Sequence, residues 1–130
     1  MHAEHADLQQ LNELSGNVIG CAFNVLNTLG AGFMEKVYEN ALAVELREHG
    51  FDVEQQHGIT VIYHDVVVGE YFADLLVNKI LLVELKVVRA LDDTHRLQCI
   101  NYLKGTGLRL CLLFNFAKPR LEIKRYAHGF

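Results

Sequence analysis

One proline, Pro119, serves the whole chain, and no low-complexity tract, internal repeat or linker interrupts it. Nothing marks a boundary, so the 130 residues are expected to form one domain spanning 1–130. No apolar run approaches the roughly 20 residues that a membrane-spanning helix needs. The opening MHAEHADLQQ has neither a basic segment nor an apolar one, which argues against a signal peptide and sets the expectation of a soluble, cytoplasmic protein. Cysteine is scarce: Cys21, Cys99 and Cys111 are odd in number and widely spaced among apolar neighbours. They suit neither a disulfide framework nor a zinc site and read as buried reduced thiols. Positive charge is also short, with a formal net charge of −4. That excludes coating nucleic acid by charge alone, but not an enzyme that engages a phosphate chain at one small site.

Hydrophobic residues make up 51% of the chain and charged residues 22%, the balance of a globular protein. Leu11, Leu14, Val18, Ala22, Val25 and Leu29 recur at helical spacing over residues 7–29, and the GAG at 30–32 ends that helix. A second helix is expected over 34–49, with Val37, Tyr38, Ala41 and Leu42 inward and Gly50 at its C-terminal cap. The stretches FDVEQQ, ITVIYHD, VVVGEYFADLLV and ILLVELKVV then read as strands. A third helix opens on Asp92-Asp93-Thr94 and closes at Gly105, before two more strands in LRLCLLFNF and LEIKRYA. This order predicts an α/β (α+β) sandwich around a mixed central sheet.

Within LLVELK, residues 81–86, Leu82, Glu84 and Lys86 share one strand face, while Leu81, Val83 and Leu85 share the other. An acid and a base on the same side of so apolar a strand are either an exposed face near a strand end or a working pair. Asp74 raises the same question inside YFADLLV, because a buried carboxylate costs several kcal/mol unless paired, hydrogen-bonded or metal-bound. A salt bridge from Lys86 to Asp74 or Glu84 is the plain alternative. Glu35 stands in the first turn of the second helix with Tyr38 on its face, where an acid also simply suits the positive helix end. GAGFMEKVY follows a helix and lacks the third glycine of a dinucleotide fingerprint, and no Gly-Lys-Ser/Thr makes it a phosphate loop. In HRLQCINY, His95, Gln98 and Tyr102 form one polar stripe against an apolar set of Leu97, Ile100 and Leu103. Tyr102 stands out there, since tyrosine more often packs than faces water. His2 and His5 resemble a metal pair only superficially; His57, His64, His128 and Ser15 have no partner or nucleophile context.

Asp74 followed by Glu84-Leu85-Lys86 resembles the signature of the PD-(D/E)xK nuclease superfamily. Gln98 followed by Tyr102 is similar to the helix motif of its RecB-like branch, and GFMEKVY at 32–38 matches the pattern for which the GxxExxY family is named. The resemblance covers about residues 14–126, with alanine, Ala73, in place of the proline of the superfamily's name. It implies a restriction-endonuclease-like core and metal-dependent hydrolysis of nucleic acid, with DNA expected ahead of RNA. Mg2+, or Mn2+, would sit on Asp74, Glu84, the Leu85 carbonyl and Glu35. Lys86 would orient or stabilise the attacking water, and Gln98 and Tyr102 would hold site residues or the substrate phosphate. A nucleic-acid-binding or regulatory module on the same fold, or a subunit of a larger complex, remains the alternative. The hydrophobic content also suggests a homodimer.

Such a site makes a geometric demand. A two-residue turn at Asn78-Lys79 would pair Val77 with Ile80 and put Asp74 and Glu84 on opposite faces. A three-residue loop, Asn78-Lys79-Ile80, pairs Val77 with Leu81 and brings Asp74 opposite Glu84, with β-carbons about 4.5–5.5 Å apart. The odd loop or a bulge is therefore expected, with Asp74, Glu84 and Lys86 on one face. The helices carrying Glu35 and Gln98–Tyr102 are expected to approach that same face.

Overall fold

A computed structural model describes residues 7–129; His2 and His5 lie outside the described residues. Asp7 caps helix α1 (Leu8–Leu29) by accepting the Gln10 N–H at 2.7 Å. One stripe of α1, including Leu11, Leu14, Val18, Ala22 and Val25, is buried, and Gly30 ends the helix by donating its N–H to Leu26 O. Helix α2 (Glu35–Glu48) buries Tyr38, Leu42, Ala43 and Leu46. Val37, expected inward, is instead exposed. Tyr38 sets the helix's rotation: its ring stacks on Phe116 at 4.7 Å and its hydroxyl donates to Gly30 O at 2.6 Å. That turns the neighbouring position toward water.

The two strand stretches expected at FDVEQQ and ITVIYHD are one strand, β1 (Val53–Tyr63). His64 and Asp65 form the turn beyond it, both with positive φ as a tight hairpin requires. Strand β2 (Val66–Val77) returns antiparallel to β1, and β3 (Leu81–Lys86) follows antiparallel to β2. Helix α3 (Asp93–Thr106) crosses over to β4 (Leu110–Asn115), which runs parallel to β3, and β5 (Glu122–Ala127) closes the sheet antiparallel to β4. The sheet order β1-β2-β3-β4-β5 is thus mixed, as expected.

Two cores flank the sheet. Leu75, Val77, Leu81, Val83 and Leu85 pack against α1 and α2. Leu76, Leu82, Cys111 and Leu113 pack against Cys99, Tyr102 and Leu103 of α3. So α3 turns the Tyr102 side of its polar stripe inward, while Leu97 is left exposed. Burying such faces removes apolar area from water at about 25 cal/mol per Å2. Gly105 does not end α3. A β-carbon there would meet Ile59 Cγ2 at 2.7 Å, so this glycine lets the helix lie close on β1. The left-handed cap is Gly107, with φ 75°. Among the described residues, no helix is long and apolar enough to cross a membrane.

Candidate active site

The loop between β2 and β3 has the odd length that brings Asp74 and Glu84 together. Asn78 and Lys79 both take positive φ, Ile80 N–H donates to Val77 O, and Val77 pairs with Leu81. The geometry is a tight two-residue turn plus one extra residue, Ile80, which is buried in the α1/α2 core. Asn78 is anchored to the start of β1 by exchanging hydrogen bonds with the Asp52 backbone at 2.8 and 2.9 Å.

From that turn, the β2–β3 ladder runs Val77↔Leu81, Leu76↔Leu82 and Leu75↔Val83 and then stops. The next step would pair Asp74 with Glu84. There the side chains take over: Asp74 N–H donates to Glu84 Oε1 at 2.8 Å, and Leu85 N–H donates to Asp74 Oδ2 at 2.8 Å. On the other side, the β1–β2 register passes from Gln55↔Leu75 to His57↔Ala73 and skips Gln56 opposite Asp74. Ala73 belongs to the α3-side core and Leu75 to the α1/α2-side core, so β2 twists over at Asp74. Asp74 therefore sits where both ladders of its strand are broken.

This break changes one expectation. The Glu35 helix and the Gln98–Tyr102 helix do not approach the same sheet face; α2 packs on one side and α3 on the other. They still converge on the acids, because β3 follows β4 beyond Val83 while β2 follows β1, leaving the carboxylates reachable from both sides. From α2, the Glu35 carboxylate faces the Val87 backbone just beyond β3, which favours its charged form, and feels both Lys86 and Asp74. The segment it faces is held in place: Phe116 N–H donates to Lys86 O at 2.9 Å, and Asn115 exchanges hydrogen bonds with the Val88 backbone at 3.1 and 2.8 Å. From α3, Gln98 Nε2 donates to the Tyr102 hydroxyl at 3.0 Å.

Two further residues belong to the cluster and were not singled out from the sequence. Glu39, one turn along α2 from Glu35, is 3% exposed and accepts from Lys36 at 3.0 Å and from Gln55 and Gln56 at 2.8 Å. Gln56 Nε2 also donates to Asp74 Oδ1 at 3.3 Å, so one amide bridges the acid of α2 to the acid of β2. Gln56 holds φ 54°, a conformation costing roughly 1–2 kcal/mol for a residue with a side chain. The available signals were the i,i+4 spacing of Glu35 and Glu39 and two successive amides breaking strand alternation at Gln55-Gln56.

The electrostatics of the acids are one-sided. Burial, followed by the Asp74 charge, pushes Glu84 up to about 9. Burial is also the leading cause that raises Asp74 and Glu35, with Lys86 opposing the rise in all three acids. Tyr102 is pushed up to about 12 by burial and then by Glu84. Carboxylates crowded in a half-dry site and short of positive charge suit a divalent cation, and an all-oxygen donor set suits a hard one such as Mg2+ or Mn2+. Among the described residues, the carboxylate oxygens of Glu35, Asp74 and Glu84 do not all lie within 4.8 Å of one another.

The GFMEKVY stretch is built to present Glu35. Gly32 takes φ 112°, open only to glycine. Tyr38 accepts the Phe33 N–H at 3.2 Å while donating to Gly30 O, tying both sides of the loop that delivers Glu35.

Helices on both faces of a mixed sheet, with acids meeting where the central strands part, define a restriction-endonuclease-like α+β fold. The family model of the PD-(D/E)XK nuclease superfamily matches residues 12–126, and the chain belongs to that superfamily. No curated protein and no solved structure matches it.

Proposed function

We propose that this chain is a divalent-metal-dependent nuclease of the GxxExxY kind that hydrolyses phosphodiester bonds in nucleic acid, DNA ahead of RNA. The observation that carries the reading is the exchange of side-chain hydrogen bonds between Asp74, Glu84 and Leu85 in place of the sheet ladder. It leaves one oxygen of each carboxylate outside that exchange, with further carboxylate and carbonyl oxygen available from Glu35 and Leu85. A bound Mg2+ would supply positive charge against the phosphate and a water acidic enough to attack it.

The remaining roles belong to the chain. Asp74, Glu84, Glu35 and the Leu85 carbonyl hold the cation. Lys86, whose charge already acts on the three acids, orients the attacking water and stabilises it as hydroxide. Tyr102 keeps its proton at neutral pH, so it acts as a donor and not as a base. Because the Gln98 amide donates to the phenolic oxygen, the phenolic hydrogen is free to reach a phosphate oxygen. Glu39 and Gln56 position Asp74.

The chain also works as a homodimer in this reading. The outer part of the β1–β2 hairpin exposes Ile62, Tyr63, Val66, Val67, Tyr71 and Phe72, and an isolated two-stranded ribbon is at best marginally stable in water. Titration of Mg2+ and Mn2+ against labelled DNA and RNA, single- and double-stranded, tests the activity. Metal-dependent cleavage lost in Asp74→Ala, Glu84→Ala and folded Lys86→Ala is the expected outcome. Equal inertness of wild type and all three variants on every substrate contradicts it.

A further inference from the structure

We propose that Cys21, Glu45 and His49 form a zinc site that joins α1 to α2, away from the Asp74–Glu84 cluster. The Cys21 sulfur, a Glu45 carboxylate oxygen and a His49 ring nitrogen all lie within 4.8 Å of one another, and no other such trio occurs among the described residues. Thiolate, imidazole and carboxylate together suit Zn2+, whereas the all-oxygen set beside Glu84 suits Mg2+. Glu45 is on the last turn of α2 and His49 is its C-cap, so both project from one face toward Cys21 on α1.

The surroundings are organised as a ligand shell requires. His49 Nδ1 lies 2.9 Å from Glu45 O and 3.6 Å from Glu45 Oε2; a hydrogen on Nδ1 bonds that carbonyl and leaves Nε2 as the ring's ligand nitrogen. Asn24 Nδ2 donates to Glu45 Oε2 at 3.2 Å, which steadies that carboxylate and leaves its second oxygen. A cavity of about 440 Å3 opens beside the trio, lined in part by Gly16, Gly20, Cys21, Asn24 and His49. It gives the ion an entry and leaves room for water as a fourth ligand.

The two glycines are informative. Inside a helix each costs about 1 kcal/mol relative to alanine. A β-carbon on either would meet no atom within 4 Å, so packing within the chain does not demand them. What they do is keep the mouth of the cavity open. On binding, Cys21 loses its thiol proton to solvent and the sulfur–metal bond forms.

The test is titration of the full chain with Co2+ as a spectroscopic stand-in for Zn2+. We expect a near-ultraviolet thiolate charge-transfer band and intense tetrahedral bands in the visible that saturate together at one equivalent in the Asp74→Asn/Glu84→Gln background, displacement by Zn2+ and a higher melting temperature with Zn2+. Cys21→Ser should abolish the charge-transfer band, and His49→Ala, at an exposed position, should weaken Co2+ binding by about tenfold or more. The Asp74→Asn/Glu84→Gln double variant should retain the band, which separates this site from the hydrolytic one. Absence of the band in the wild type, or its persistence in Cys21→Ser, overturns the proposal. If Cys21→Ser fails to fold, unchanged affinity in His49→Ala does the same.

Discussion

Strand β2 has two halves that break the ordinary rule of burial in opposite ways. Its outer half, from Val66 to Phe72, carries large apolar side chains into water. Its inner half, Ala73–Val77, is packed in the two cores and yet includes Asp74, with buried Glu84 bonded to it. Both inversions cost free energy in the isolated chain. The inner one resolves if a divalent cation completes the acids, and the outer one if a second copy covers the ribbon.

The largest effects should come from the inner half. Glu84→Gln and Asp74→Asn should each lower metal-dependent cleavage by about a thousandfold, the scale of removing a charge-stabilising group, with circular dichroism unchanged. Leu75→Ala, by contrast, should leave the acids in place and cost about 2–5 kcal/mol in chemical denaturation.

Glu84 also ties stability to pH in the cation-free protein. Folding raises its pKa from 4.5 to about 9, so its folded environment favours the protonated acid. That stabilisation is complete below about pH 4.5 and is lost as pH rises through about 9. Glu84→Gln mimics the protonated form at every pH. Its melting temperature should match wild type near pH 4 and exceed it at pH 8 by about 5 °C or more. Added Mg2+ should stabilise wild type at pH 8 and leave the variant unchanged.

Smaller effects separate the outer half from the inner. Tyr102→Phe should reduce cleavage only about tenfold, because one hydroxyl contact is lost while the ring stays packed. Ile62→Lys with Val67→Lys, both at exposed positions, should change monomer stability by no more than about 0.5 kcal/mol per site. Light scattering should then shift from a dimer to the 14.7 kDa monomer.

The layout was largely legible in the sequence, because apolar periodicity alternates with turn residues at most boundaries. Asp74, Glu84 and Lys86 stood out as charges in apolar strands, and the odd loop at 78–80 followed from counting. Other features depended on contacts between distant residues. Gly105 looked like a helix end because only the neighbouring Ile59 shows why a glycine lies inside α3. Val37 faced inward on periodicity alone, but Phe116, from beyond β4, fixes Tyr38 and with it the rotation of α2. Glu39 and Gln56 left only local signals, an acid one turn from Glu35 and a doubled amide, since their link to Asp74 exists only once α2 lies over β1. That α2 and α3 reach the same acids from opposite faces likewise follows from the parting of β2 and β3, which strand alternation cannot express.

The central claim is that the inner half of β2 and its partner strand form a cation site. Calorimetric titration of Mg2+ into wild type and into the Asp74→Asn/Glu84→Gln double variant at pH 8 tests it most directly, since the thiol-containing trio on α1 and α2 is a poor ligand for Mg2+. Saturable heat in the wild type that vanishes in the folded double variant is the predicted result. Equal heats in the two proteins, or none in either, would contradict the account.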